Sequence, residues 1–121
     1  MPKKIAIVED DVAISQMYRI KFENEGYEVE TAENGVIGLE MIEAFKPNII
    51  LLDLMMPEMN GDEMLAQLRK TDFGSDIPVI ILTNMGESEA PETLKELDVE
   101  SFIVKAEMTP KQVAEMVKKK L

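Results

Sequence analysis

Residues 49–61 read Ile49-Ile50-Leu51-Leu52-Asp53-Leu54-Met55-Met56-Pro57-Glu58-Met59-Asn60-Gly61, an apolar run that ends on a single carboxylate. Four apolar residues with no polar alternation are too short for a helix and read as a strand buried on both faces. Working outward, Ile5-Ala6-Ile7-Val8, Val79-Ile80-Ile81-Leu82 and the weaker Phe102-Ile103-Val104 repeat the pattern, and Glu28-Val29-Glu30-Thr31 is a shorter, more polar candidate. Amphipathic stretches lie between them. Ile14, Met17, Tyr18 and Phe22 recur at helical spacing ahead of Gly26, with Ile20 off the stripe. Val36, Leu39, Ile42 and Phe45 form a second row, widened by Ile37 and Met41, and Pro47 marks its exit. A third helix is predicted from Asp62 through Lys70 with Met64, Leu65 and Leu68 inward. A fourth follows Ser88 as N-cap, with Pro91 in its first turn and Leu94 and Leu97 buried. The fifth begins at Thr109 and Pro110 and buries Val113, Met116, Val117 and Leu121. Strand then helix, five times over, predicts an α/β fold: a doubly wound five-stranded parallel sheet covered by five helices.

Composition bounds the chemistry. The 121 residues fit one domain over 1–121, and 24 Asp and Glu against 13 Lys and Arg give a net charge of −11. Charge of that sign works against nucleic acid or an anionic membrane as a partner for this domain alone, and favours cations or basic partners. With no Cys and no His, disulfide scaffolds, His-based triads and most catalytic zinc sites are excluded, and ligating work falls to carboxylates. No apolar run approaches the ~20 residues of a membrane span, so the expected location is the cytoplasm. Of the ten Met, Met17, Met64 and Met116 fall at core spacing, whereas Met55, Met56, Met59 and Met85 could form an adaptable contact surface.

Ligands of open parallel sheets bind at the carboxyl ends of the strands, near the point where strand order reverses. Glu9, Asp10 and Asp11 follow the first apolar run, Asp53 the third, Thr83 the fourth and Lys105 the fifth. Singly, most have structural readings: Asp11 as a helix cap, Thr83 as a strand residue, Lys105 as a solvated cation. Jointly they are harder to explain that way, because several carboxylates at one sheet edge repel unless a cation or a functional need offsets them. Oxygen ligands without His or Cys suit Mg²⁺.

The segment from Asp53 to Gly61, with Pro57 four residues on and Gly61 eight on, resembles the phosphoacceptor segment of bacterial response-regulator receiver domains. Val8-Glu9-Asp10, Thr83 and Phe102-Ile103-Val104-Lys105 resemble the family's other signatures in order and spacing, over essentially the whole chain. The resemblance implies a flavodoxin-like fold and a phosphoprotein of two-component signalling, not an enzyme acting on other substrates. It implies that Asp53 takes a phosphoryl group from a histidine kinase or phosphotransfer protein, and that an output partner reads the result. Asp10, Asp53 and the Met55 carbonyl would hold Mg²⁺, with Glu9 acting through water. Lys105 would pair with the phosphoryl oxygens, Thr83 would move to bond them, and Phe102 would turn inward. Phosphoryl transfer needs in-line positioning and charge neutralisation more than covalent machinery, which agrees.

The chain also departs from the family pattern. Ala106 follows Lys105 where the family usually has Pro, so a trans bond or a strained loop is expected, since a cis bond before a non-Pro residue costs ~2.5–4 kcal/mol. Asn84 stands where a smaller residue is usual and is expected to narrow access to Asp53. Met55 and Met85 offer no acid or amide to orient an attacking water, which predicts slow self-dephosphorylation. Two other readings remain at this level. A Mg²⁺-dependent phosphatase of the haloacid dehalogenase type also uses an Asp nucleophile, a Thr or Ser and a Lys, but usually needs a second Asp where Met55 stands. A receiver-like module that is never phosphorylated would use the same fold without the chemistry.

Overall fold

The computed structural model describes residues 2–121. Its strands are β1 (Lys4–Val8), β2 (Glu28–Ala32), β3 (Ile49–Leu52), β4 (Val79–Thr83) and β5 (Ser101–Val104), all parallel in the order β2-β1-β3-β4-β5. Among the described residues the α-helices are α1 (Val12–Asn24), α2 (Gly35–Phe45), α3 (Gly61–Arg69) and α4 (Pro110–Lys120). Strand side chains alternate between two cores, one on each face of the sheet. Ile5, Ile7, Leu51 and Ile80 join Tyr18, Phe22, Val113 and Val117 under α1 and α4. Ala6, Val8, Ile50, Leu52 and Ile81 join Ile42, Met64, Leu65 and Leu68 under α2 and α3.

Local signals act where they were read. The Asp11 carboxylate accepts from the Ile14 amide at 3.1 Å and starts α1. Thr109 and Gln112 form a reciprocal capping box ahead of Pro110 and start α4. The third helix begins one residue earlier than expected, at Gly61.

The fourth predicted helix does not form. Residues 84–98 instead contain two 3₁₀ turns, Glu87–Glu89 and Glu92–Glu96, so the fold has four α-helices where five were expected. Pro91 is the reason. Its backbone is extended (φ −57°, ψ 137°), so the segment is divided there, and the bonds that follow are the tighter three-residue kind, from Leu94 to Pro91 and from Leu97 to Leu94. Glu92 and Glu96 also repel across one helical turn.

Three inward assignments change as well. Met17 is 42 % exposed, and Val36 and Ile37 are 44 % and 42 % exposed. In α1 the inward face is carried by Ser15, Tyr18 and Phe22; in α2 it is carried by Gly35, Gly38 and Ile42. The small residues decide this: a Cβ on Gly38 would stand 3.1 Å from both Val8 and the Met64 sulfur, so the helix approaches the sheet through its glycines and turns Val36 and Ile37 outward.

Candidate functional site

From β1 the chain first lays β2 on one side and then returns to lay β3 on the other, so the strand order reverses between β1 and β3. The acidic residues follow these two strands. The Glu9 amide donates to the Ala32 carbonyl at 2.9 Å and the Asp53 amide to the Val8 carbonyl at 3.0 Å, so both acids are fixed by extensions of the sheet ladder. Behind Asp53 the chain takes a left-handed residue at Glu58 (φ 67°) and closes with the Gly61 amide on the Leu54 carbonyl at 2.9 Å. A Cβ on Gly61 would overlap the Asp53 carbonyl oxygen, so only glycine lets α3 start this close to the site.

The sheet edge brings together Glu9, Asp10, Asp53 and Lys105. One carboxylate oxygen from each of the three acids lies within 4.8 Å of the others. Glu9 and Asp53 are buried, at 4 % and 6 % exposed, while Asp10 is open to solvent. Lys105, in the Lys105–Glu107 turn after β5, donates its Nζ to Glu9 Oε1 and to Asp53 Oδ2, the latter at 3.4 Å. The structure contains no cis peptide bond among the described residues, so Lys105 reaches the site with a trans bond to Ala106.

Two buried carboxylates and one ammonium leave a surplus of negative charge. Burial, reinforced by Asp53, pushes the Glu9 carboxyl up to about 7 against the pull of Lys105. Burial alone would lower the Lys105 ammonium, but its hydrogen bond to Glu9 and the charges of Asp53 and Glu9 outweigh it and hold it above its ordinary value. Three carboxylate oxygens gathered this closely around a single ammonium form a donor set that could hold a metal ion.

The other expected residues lie outside the carboxylate cluster. Met55 is 59 % exposed, and its amide donates to Asp53 Oδ1 at 3.4 Å. Thr83 is fully buried at the end of β4, and its hydroxyl accepts from the Met85 amide at 3.3 Å, not from the acidic cluster. Phe102 pairs with Ile81 across the β4–β5 ladder and lies half-buried against the α2/α3 core, away from the carboxylates. Asn84 is exposed. Met55, Met56 and Met85 line an open groove of about 560 Å³ beside Asp10, whereas Met59 packs on Gly35 at the start of α2.

Two residues were not singled out by the sequence reading. Helical spacing puts Tyr18 on the core stripe, yet it also lines a cavity with Glu9 and Asp53; a hydroxyl-bearing aromatic on an apolar stripe is the available signal. Arg69, at the end of α3, donates to the carbonyls of Leu97 (2.9 Å), Gly74 (2.9 Å), Ile77 (2.7 Å) and Asp98 (2.9 Å), a clamp that no local pattern announces.

This fold and site define an α/β domain with a cluster of carboxylates and one ammonium at its switch point. The chain belongs to the response regulator receiver domain family, which it matches over residues 5–118, and so to the receiver domains of two-component signalling. It is 36 % identical over 111 residues to the probable transcriptional regulator ycf27 of Cyanophora paradoxa, covering 92 % of this chain and 45 % of that protein. Response regulator MprA of Mycobacterium sp. (strain KMS) is 41 % identical over 83 residues, covering 69 % of this chain and 35 % of that one. The chain thus spans less than half the length of these relatives. Among solved structures, the chemotaxis response regulator CheY4 of Vibrio cholerae superposes with a TM-score of 0.90 at 26 % identity, covering 100 % of both chains. Response regulator protein TrrA of Thermotoga maritima, solved in complex with Mg²⁺ and BeF, gives 0.85 at 28 % identity over 98 % of this chain and 99 % of that one.

Proposed function

We propose that Asp53 is the phosphoacceptor of a single receiver domain spanning residues 1–121. The observation that carries this reading is the bridge from Lys105 to Glu9 and Asp53, which joins groups from the ends of β5, β1 and β3 at one point. In the reaction a carboxylate oxygen of Asp53 forms a P–O bond while the P–N bond of a phosphohistidine breaks and its electron pair stays on the imidazole. The phosphohistidine belongs to a histidine kinase or phosphotransfer protein, because this chain has no His. Burial at 6 % exposed keeps Asp53 out of bulk water and strengthens every charge contact to it.

Asp10, Asp53 and the Met55 carbonyl would hold Mg²⁺, with Glu9 acting through water. When bound, the cation neutralises charge on the phosphoryl oxygens. Lys105 turns from the carboxylates to the phosphoryl group, Thr83 releases the Met85 amide to donate to it, and Phe102 fills the space this opens. The altered surface is read by an output partner. The domain's only chemistry is its own phosphorylation and dephosphorylation, carried out in the cytoplasm; no helix among the described residues is long and apolar enough to cross a membrane. Met55 and Met85 supply no group to orient water, so the phosphoryl group is held for much longer than seconds.

Intact-mass analysis of the chain incubated with Mg²⁺ and acetyl phosphate tests the assignment. One phosphoryl adduct on the wild type and none on Asp53→Asn is expected; an adduct on both, or on neither, contradicts it.

A further inference from the structure

Strand β5 is held in register by little of its own. Of its four residues only Ile103 is buried, whereas all five residues of β4 are buried. It stands at the sheet edge with β4 as its one neighbour, paired from Ile80 with Ser101 to Thr83 with Val104. The chain between them, residues 84–100, is too long to fix the register as a tight turn would. A slip of one residue would carry Lys105, which directly follows β5, ~3.3 Å along the strand and onto the other face. The site tolerates no such slip, because Lys105 Nζ must reach both Glu9 and Asp53.

Arg69 supplies the missing constraint. Its Nη1 donates to the carbonyls of Gly74 at 2.9 Å and Ile77 at 2.7 Å, just ahead of β4. Its Nε and Nη2 donate to those of Leu97 and Asp98, both at 2.9 Å, just ahead of β5. One planar fork thus fixes the entries of both strands relative to each other. The first bond between the strands follows at once, from the Glu100 amide to the Val79 carbonyl at 2.9 Å. Asp98 is left-handed (φ 58°), a conformation that a non-glycine residue keeps where its surroundings hold it, and its carbonyl is one of those Arg69 binds. We propose that Arg69 is a positioning residue for phosphorylation: it sets the register of β5 on β4 from the end of the sheet opposite the site, and so places Lys105 against Asp53. The functional half of this rests on Asp53 being the phosphoacceptor.

Arg69→Lys keeps the charge and the stem but not the fork. At saturating Mg²⁺ it is expected to take a phosphoryl group from acetyl phosphate ~10- to 100-fold more slowly, the scale of a ~1 Å misplacement made far from the chemistry. Adding it to Lys105→Gln should slow that variant no further, since both remove the same contact. Hydrogen exchange separates register from general loosening. In Arg69→Lys the Glu100 amide should exchange about tenfold faster, and the Asp53 amide, bonded to the Val8 carbonyl, at the wild-type rate. Wild-type phosphorylation in Arg69→Lys, losses that multiply with Lys105→Gln, or equal acceleration at Glu100 and Asp53 each overturn the proposal. Should Arg69→Lys fail to fold, Asp98 decides from the other side of the clamp. Asp98→Gly keeps the left-handed turn and is expected to match the wild type, whereas Asp98→Val disfavours it and should slow phosphorylation; equal rates in the two overturn the proposal. A wild type that takes no phosphoryl group removes the Asp53 assignment alone, and the Glu100 exchange then decides the register.

Discussion

The segments after β3 and after β4 begin alike, each leaving a buried strand at a polar residue of the site, and end differently. After Asp53 the chain closes on Gly61 and enters α3, which buries Met64, Leu65 and Leu68 completely. After Thr83 it enters the 3₁₀ turns of residues 84–98, where Leu94 is buried and Leu97 only half-buried. Acidic residues near the start of α3, Asp62 and Glu63, and Arg69 at its end complement the helix dipole. The second segment carries Pro91 at its centre and Glu on both sides. The difference places Asp53 against a rigid wall and Thr83 against an adaptable one, which suits the acceptor role proposed for Asp53 and the switching role proposed for Thr83. Arg69 joins the two, because its guanidinium leaves the rigid helix and bonds the carbonyls that end the adaptable segment.

The largest expected effect lies on the rigid side. Gly61→Ala forces backbone against backbone at Asp53 and is expected to lose ~4 kcal/mol in denaturant unfolding, with phosphorylation lost as well. A Gly61→Ala chain of wild-type stability would mean that α3 does not brace Asp53. Truncating one leucine from each segment sharpens the contrast. Leu65→Ala in α3 should cost ~3 kcal/mol, and Leu94→Ala ~1.5 kcal/mol, because the thinner, partly open packing around Leu94 can collapse. Equal costs would erase the distinction between the walls.

A smaller effect follows from Glu9. Its carboxyl is pushed up to about 7 by burial and by Asp53, so the folded chain binds its proton more tightly than the unfolded one. The stability this contributes is fully present below the ordinary value of 4.5 and is lost as pH rises through about 7. Without His, no other side chain has an ordinary pKa between about 5.5 and 8, so the window is clean. Metal-free protein should therefore melt at a lower temperature at the upper end of that window than at the lower, and Glu9→Gln should flatten the slope. A slope of the same size in the variant would assign it to another group. The smallest effect is at Pro91. Pro91→Ala restores the missing amide and should raise helical circular dichroism slightly with little change in stability; no gain in helicity would place the break in the acidic charge, not in the proline.

Much of this was legible in the chain because the signals are local. Four β-branched or leucine runs of three or four residues place the strands, Asp11 and Thr109 cap the helices they precede, and the spacing from Asp53 to Gly61 marks the site loop. What escaped depends on contacts distant in sequence or on two signals in conflict. Leu94 and Leu97 have helical spacing, but Pro91 overrides it. Val36 has the right period for a core position, yet Gly35 and Gly38 let the backbone approach instead and rotate it outward. The strand ends announced Glu9, Asp53 and Lys105 separately; that Lys105 pairs with both acids depends on the order of strands, which periodicity does not encode. Tyr18 and Arg69 look like a core aromatic and a helix-terminal cation until the fold sets the first against a cavity shared with Glu9 and Asp53 and brings the guanidinium of the second to the loop carbonyls.

The most direct test of the account is the position of the phosphoryl group. Borohydride reduces an acyl phosphate to an alcohol, so treating the phosphorylated chain and sequencing its peptides by mass spectrometry marks the acceptor as homoserine. The account predicts homoserine at residue 53 and an unmodified carboxylate at Asp10. Homoserine at Asp10, or a phosphoryl group that survives borohydride because it sits on a hydroxyl, would contradict it.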